Sequence, residues 1–182
     1  MKLCGIDEAG RGPLAGPLLM AGVILHNSIV GLNDSKKLSE KKREMLFDLI
    51  LTNSDSKIVR FSAQQIDVLG LSACLKMGLE EIMHCLNAED YLFDGNSKFG
   101  VSGLRTLVKA DALIAEVSAA SILAKVTRDR EMVELDATYP QYGFAEHKGY
   151  GTSAHVQAIR EYGHCEIHRK SFKLKALQGS LF

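Results

Sequence analysis

Two adjacent carboxylates, Asp7 and Glu8, stand at the end of a short apolar run, Leu3-Cys4-Gly5-Ile6, and Gly10-Arg11-Gly12-Pro13 follows almost at once. The run reads as a strand, which the glycine-rich stretch breaks. Acidic side chains at a strand end suit a metal ion. Glycines beside them let backbone N–H groups approach a ligand that a Cβ would hold off. Arg11 adds a planar, permanently charged fork suited to phosphate. Alone, such a pair is a solvated strand end with turn chemistry. It becomes a site only if other parts of the chain supply partners.

Two candidates exist. Asp94 closes the β-prone run Tyr91-Leu92-Phe93 and precedes Gly95-Asn96. Asp111 closes Leu107-Val108-Lys109-Ala110, just before a long helical pattern. Three strand-like runs thus each end in a carboxylate. In an open sheet, ligands sit at strand ends where the strand order switches. Four converging carboxylates repel unless cations neutralise them. An all-oxygen set without a Cys/His cluster favours Mg²⁺ or Mn²⁺ over zinc. Neighbouring strand residues point to opposite faces, so Asp7 and Glu8 share one site only if the backbone leaves strand geometry at Glu8.

The elements that must position these groups follow from periodicity and punctuation. Leu14 to Leu25 reads as a second strand, hairpinned to the first across the Gly-Arg-Gly turn, with Pro17 near its start. Ser39 caps a helix over Glu40 to Leu51 whose apolar face is Met45, Leu46, Leu49 and Ile50. Lys57 to Ala63 is a third strand. A helix to about Leu86 buries Leu75, Leu79, Ile82, Met83 and Leu86, with His84 on the surface. The fourth strand ends at Asp94 and the fifth covers roughly Leu104 to Lys109. Leu113 to Asp136 is the longest helix. Its small patch Ser118-Ala119-Ala120-Ser121 lets it lie close to the sheet, while Lys125, Arg128 and Arg130 take structural roles with Asp129 and Glu131 as partners. Tyr139-Pro140 ends it. Thr152 caps a last helix from about Ser153 to Tyr162, and the stretch from His164 to Lys175 reads as a solvated basic tail. Tyr150, between two glycines, is either a loop aromatic offered for stacking or a ring packed over the core edge; its type and position do not decide.

The bulk numbers fit one soluble domain over residues 1–182, with a C-terminal helical part at roughly 139–182. Hydrophobic residues make up 46% and charged residues 24%. The 22 basic and 22 acidic side chains cancel, so an anionic partner must be held by local patches rather than a global field. Cys4, Cys74, Cys85 and Cys165 are far apart and read as buried free thiols in a reducing cytoplasm. No leader or membrane-spanning run is visible, which predicts a cytoplasmic protein.

The motifs, taken together, resemble ribonuclease HII, the type 2 ribonuclease H. They are DEAGRGP at Asp7–Pro13, DSKKL at Asp34–Leu38, FDG at Phe93–Gly95, KAD at Lys109–Asp111, SAASILAKVTRDR at Ser118–Arg130 and HKGYGT at His147–Thr152. They run in the family's order over nearly the whole chain. The resemblance implies a ribonuclease H-like fold: a five-stranded mixed sheet with helices on both faces and further C-terminal helices. It implies two Mg²⁺ or Mn²⁺ ions on Asp7, Glu8, Asp94 and Asp111, with Asp7 shared, and hydrolysis leaving 5′-phosphate and 3′-hydroxyl ends. The substrates would be RNA–DNA hybrids and single ribonucleotides embedded in duplex DNA, cut on the 5′ side, in a role of removing misincorporated ribonucleotides. By the same resemblance Gly10, Arg11 and Gly12 sense the ribose 2′-hydroxyl, Tyr150 stacks on the neighbouring sugar, and Lys36 and Lys37 contact phosphate. A monomer is expected. Gln178 to Phe182 resembles a sliding-clamp-binding peptide only faintly. Two readings from other classes stay open: a non-catalytic nucleic-acid-binding module, separated by a magnesium-dependent cleavage assay, and a resolvase- or transposase-like DNA enzyme, separated by an all-DNA substrate. Ribonuclease HIII is a third, within the wider family; the intact DEAGRG and the lack of an added N-terminal domain favour HII.

Overall fold

The computed structural model describes residues 2–32 and 38–172. β1 (Leu3–Ala9) and β2 (Leu18–Leu25) form an antiparallel hairpin, and β3 (Ser54–Phe61) extends it antiparallel on the far side of β2. β4 (Asp90–Asp94) lies parallel to β1, and β5 (Leu104–Leu107) parallel to β4. The order is β3-β2-β1-β4-β5, a five-stranded mixed sheet.

β2 reads as one continuous apolar run because both of its faces are covered. Leu18, Met20 and Ile24 pack under α2 (Ala63–Leu69) and α3 (Leu71–Cys85), in one core with Leu75, Leu79 and Ile82. Leu19, Ala21 and Val23 face the other way, onto α1 (Glu40–Thr52) and α4 (Ala115–Thr138). The small residues of α4 make that contact close: a Cβ at Gly5 would fall on the Glu116–Val117 peptide. Ser39 caps α1, and Ser62 caps α2 through a capping box with Gln65.

A third layer closes the C-terminal side. α5 (Phe144–His147) and α6 (Ser153–Tyr162, capped by Thr152) lie there with Ala15, Met132, Tyr142, Phe144 and Ala158 in a separate apolar cluster. No helix among the described residues is long and apolar enough to cross a membrane.

Several boundaries and faces differ from those the sequence suggests. On α1, Met45 is 70% and Leu49 44% exposed, and Phe47 is buried with Leu46 and Ile50. The helix rolls so that this ring, not Met45, meets the core under β2, with the Arg130 guanidinium 4.3 Å from its centre. β2 starts at Leu18, after Pro17, because residues 14–17 bond to the C-terminal layer instead: Leu14 donates to Gly149 and Gly16 to Ile167. Cys85 is exposed and Cys165 half-buried, so only Cys4 and Cys74 are buried thiols, and all four are free. Glu131 pairs with Arg60 and Arg130 with Glu44, while Lys125 pairs with Asp129 at 2.8 Å as the helical spacing suggests. The stretch after α6 is no solvated tail: His168 and Arg169 are each 1% exposed. Lys36, Lys37, Gln178 to Phe182 and the end of the basic stretch lie outside the described residues.

Candidate active site

β1 pairs with β4 only as far as Ile6↔Phe93, yet continues beside β2 to Ala9↔Leu19. From Asp7 onward its β4-facing edge is therefore open. Here the chain turns back to β2 on one side, while on the other β4 passes on towards β5, so the strand order switches at this point. A cleft of about 420 Å³ occupies it, lined by Asp7, Glu8, Gly10, Arg11, Gly12 and Asp94, with Ser121, Lys125 and Tyr150 on its other sides.

Carboxylate oxygens of Asp7, Asp94 and Asp111 all lie within 4.8 Å of one another. Asp7 and Asp111 are buried. Asp7 Oδ1 accepts the Glu8 N–H at 2.8 Å, and Asp94 Oδ1 accepts the Ala110 N–H at 3.2 Å. The second bond ties the end of β4 to the turn that carries Asp111. That turn corrects one expectation: Asp111 does not end a strand but sits in a 3₁₀ turn, Ala110–Ala112, entered through Lys109 in the left-handed region at φ 61°. The kink lets a carboxylate beyond the end of β5 swing back to the β1–β4 gap.

A second expectation fails differently. β1 does not leave strand geometry at Glu8; it stays in register through Glu8↔Met20 and Ala9↔Leu19. Glu8 nevertheless lines the same cleft, because past Phe93 no β4 backbone separates the two faces of β1. Glu8 Oε1 accepts from Arg11 at 3.4 Å, and Glu8 Oε2 is buried with no hydrogen-bond partner among the described residues.

Burial, and next the charge of Glu8, push the Asp7 carboxyl well above the usual carboxylate range, against a stabilising hydrogen bond from Ser121. Burial raises Glu8 as well, opposed chiefly by the Arg11 guanidinium. The acid cluster therefore has an unmet demand for positive charge. An all-oxygen donor set with an unsatisfied inward-facing carboxylate oxygen fits hard divalent cations.

Sequence patterns alone did not reveal how the Gly10–Gly12 turn is held. Two buried arginines, Arg128 and Arg169, clamp it from behind. Arg128 donates to the carbonyls of Pro17 (2.9 Å), Lys148 (2.8 Å) and Ala15 (3.0 Å). Arg169 donates to Gly10 (2.6 Å), Gly16 (3.0 Å), Pro17 (3.1 Å) and Arg11 (3.2 Å). A Cβ on Gly10, at φ 90°, would fall on Arg128 and the Pro17 carbonyl. A trans peptide sets its N–H opposite its C=O. With the Gly10 and Arg11 carbonyls drawn to Arg169, the N–H groups of Arg11 and Gly12 point away from it. The only signal of Arg169 in the sequence was its basic charge, which reads equally as surface. Ser121 and Lys125 are further cleft residues that the sequence reading placed only on the helix.

Tyr150 lies at the cleft, 43% exposed, its ring 5.6 Å from the Arg128 guanidinium. Of the residues picked out as a site, the structure thus gathers Asp7, Glu8, Asp94, Gly10, Arg11, Gly12 and Tyr150 around one opening, with a carboxylate oxygen of the buried Asp111 within 4.8 Å of those of Asp7 and Asp94.

Comparison with known proteins agrees over the full fold. The family model described as Ribonuclease HII matches residues 4–175. A protein named Ribonuclease HII from Campylobacter hominis is 63% identical over 100% of this chain and 99% of its own length. One from Sulfurovum sp. is 61% identical over 96% and 93%. The RNase HII of Archaeoglobus fulgidus, solved in a complex with PCNA, superposes with a TM-score of 0.85 at 28% identity, covering 96% of each chain.

Proposed function

The chain belongs to the ribonuclease HII family, and from that premise we propose how this endoribonuclease of RNA–DNA duplexes uses its cleft. Its substrates include single ribonucleotides embedded in duplex DNA, cut on the 5′ side to leave 5′-phosphate and 3′-hydroxyl ends. The observation that carries the reading is the convergence of the Asp7, Asp94 and Asp111 oxygens within 4.8 Å at the open edge of β1, beside a turn that offers backbone donors.

Asp7, Asp94 and Asp111, with Glu8 beside them, would hold two divalent cations, Mg²⁺ or Mn²⁺. When bound, such ions supply Lewis acidity at the phosphate and a nucleophilic water at neutral pH. The protein's own groups do the rest. The Arg11 and Gly12 N–H groups, fixed by Arg169 from behind, are donors for a ribose 2′-hydroxyl, the one group that tells RNA from DNA at a given position. Arg11 places its guanidinium between the Glu8 carboxylate and the Phe99 ring, 5.5 Å from the ring centre, within reach of phosphate. Tyr150 offers an exposed ring face to the sugar beside the cut. No histidine lines the cleft among the described residues, so proton transfer falls to water and the carboxylates.

Cleavage of three matched duplexes tests the reading: one ribonucleotide in DNA, a full hybrid, and all DNA, each with Mg²⁺. Cutting of the first on the 5′ side of the ribonucleotide, and none of the third, is the expected result. Cutting of the all-DNA duplex would transfer the site to the resolvase-like class.

Three further parts of the reading come from the sequence alone: a single-domain monomer, residence in the cytoplasm, and phosphate contacts by Lys36 and Lys37. Docking of Gln178 to Phe182 on a sliding clamp draws support from the archaeal relative solved with PCNA. A chain ending at Arg169-Lys170-Ser171-Phe172 should then lose clamp binding but keep cleavage.

A further inference from the structure

Two histidines of the C-terminal layer, His155 and His168, form a chain of hydrogen bonds in which each tautomer is dictated by its neighbours. The Tyr150 carbonyl accepts the Thr152 N–H at 2.8 Å and also faces His155 Nδ1 at 2.9 Å. A carbonyl only accepts, so His155 carries its proton on Nδ1. In the neutral ring Nε2 is then an acceptor. It lies 3.0 Å from His168 Nε2, which must be protonated. His168 Nδ1 is left as an acceptor, and it receives the Cys165 N–H at 2.9 Å. His147, stacked on His155 at 4.3 Å, is fixed in the same way: Nε2 donates to the Tyr142 carbonyl at 2.7 Å and Nδ1 accepts from Gly149. A second proton on His155 would set two N–H groups against each other at His168. Moving the His168 proton to Nδ1 to avoid that would set it against the Cys165 N–H, with only the weakly accepting Cys165 sulfur, 3.1 Å away, to receive it. The relay is therefore complete only when both rings are neutral.

Both rings are fully buried. Burial lowers both, His168 to about 4, and the neighbouring imidazoles act in the same direction. Phe144 and Tyr142 pack their rings against this pair, and His164 lies edge-on to His168. The next residue in the chain, Arg169, holds the Gly10 and Arg11 carbonyls. One dipeptide, His168-Arg169, is thus bonded through His155 to the Tyr150 backbone on one side and directly to the Gly-Arg-Gly turn on the other.

We propose that His155 and His168 are positioning residues: with Arg169 they set Tyr150 in register with the Gly10–Gly12 turn, so that one ribonucleotide meets both at once. This rests on the reading of Tyr150 and the turn given under Proposed function. Positioning errors of about an ångström cost catalysis heavily even when they arise outside the chemistry.

The test is a double-mutant cycle on the single-ribonucleotide duplex, using the whole protein. His168→Leu should lower kcat/KM by roughly tenfold or more. His168→Gln, whose amide N–H can replace Nε2–H, should restore most of it. In a Tyr150→Ala background His168→Leu should cost less than about twofold further, since the group it positions is gone. Effects that simply multiply, or Leu and Gln variants that behave alike, would overturn the proposal. ¹⁵N imidazole spectra of the unmodified protein near neutral pH should report His155 protonated on Nδ1 and His168 on Nε2. The opposite tautomer at either ring overturns the relay even if His168→Leu fails to fold. Wild-type cleavage by Tyr150→Ala alone would instead remove the role given to that tyrosine, and the proposal with it, while leaving the tautomers to stand or fall on the spectra.

Discussion

Asp7 and Asp94, with the buried Asp111 carboxylate beside them, form one wall of the cleft, and the layer from Tyr142 to Arg169 stands behind the other. On the first, carboxylates crowd together, burial raises the proton affinity of Asp7 and Glu8, and Glu8 Oε2 has no hydrogen-bond partner among the described residues. On the second, two imidazoles and two guanidiniums are buried more deeply still, and donors meet acceptors along the whole chain from Cys165 to Tyr150. The first wall is left with crowded negative charge that a proton or a bound cation would relieve. The second is satisfied internally, with neutral rings and with arginines bonded to backbone carbonyls rather than to carboxylates. Unmet electrostatic demand marks where a ligand goes; a closed network marks what holds the ligand's surroundings still.

The sharpest way to break this contrast is Asp7→Asn. Turnover with Mg²⁺ should fall by roughly a thousandfold or more, about 4 kcal/mol of barrier. Without divalent ions the same variant should be more stable than the parent by about 1 kcal/mol, because a buried charge among like charges has gone. The unmodified protein should gain stability from Mg²⁺ or Mn²⁺, about 2.7 kcal/mol at a hundred times the dissociation constant, and Asp7→Asn should lose that gain. Thermal melts with and without the ions check both. A parent protein that ignores divalent ions would remove the difference between the walls.

Arg169→Met attacks the other wall. It strips donors from the carbonyls of Gly10, Arg11, Gly16 and Pro17 at once. Some would relax to other partners, and the burial that depresses the Arg169 guanidinium to about 10 is relieved. A net loss of about 3 kcal/mol is expected in urea unfolding, with cleavage reduced even where the variant is folded. Arg169→Lys should recover little, since a point ammonium cannot serve four carbonyls arranged around a planar fork. The divalent-ion gain should survive in both variants, which separates damage to the turn from damage to the acid cluster.

The two walls were unequally legible in the sequence. The acids announced themselves, because Asp7, Glu8 and Asp94 each end a strand beside a glycine turn and metal chemistry needs that residue type. Asp111 was found for the right reason of type but the wrong one of geometry; a 3₁₀ turn entered through a left-handed lysine leaves no periodic trace. The sharing of one cleft by Asp7 and Glu8 depends on where β4 stops beside β1, a pairing between segments some 85 residues apart that no local pattern encodes. The five strands and the cap residues Ser39 and Thr152 follow from short-range chemistry and were readable. His168 and Arg169 were not, since a buried basic residue and a solvated one look alike in sequence. What buries them is the bridge between Ala15 and His168, a contact across almost the whole chain.

That contact supplies the finest discrimination between the walls, through pH. The folded His168 binds its proton only near pH 4, whereas an unfolded histidine binds it near 6.5. Between those values the unfolded chain holds more protons than the folded one, so acidification favours unfolding. His168 should therefore leave stability untouched above about pH 6.5 and withdraw it progressively down to about 4, by about 3 kcal/mol in all. His155 is shifted in the same direction and adds to the slope. The raised carboxyls of the cleft have the opposite sign: with folded values above the unfolded ones, Asp7 and Glu8 favour folding as pH falls. Overlaid in one protein the two trends partly cancel, so the parent's own curve decides little. Subtracting the curve of His168→Gln, which leaves the acids in place and removes one titrating ring, isolates the closed wall. Urea unfolding of the pair at intervals from pH 4 to 8 should give a difference that is level above about pH 6.5 and falls by about 3 kcal/mol as the pH is lowered to 4. A difference independent of pH would mean that the relay tolerates a proton, and that the second wall is no more closed than the first.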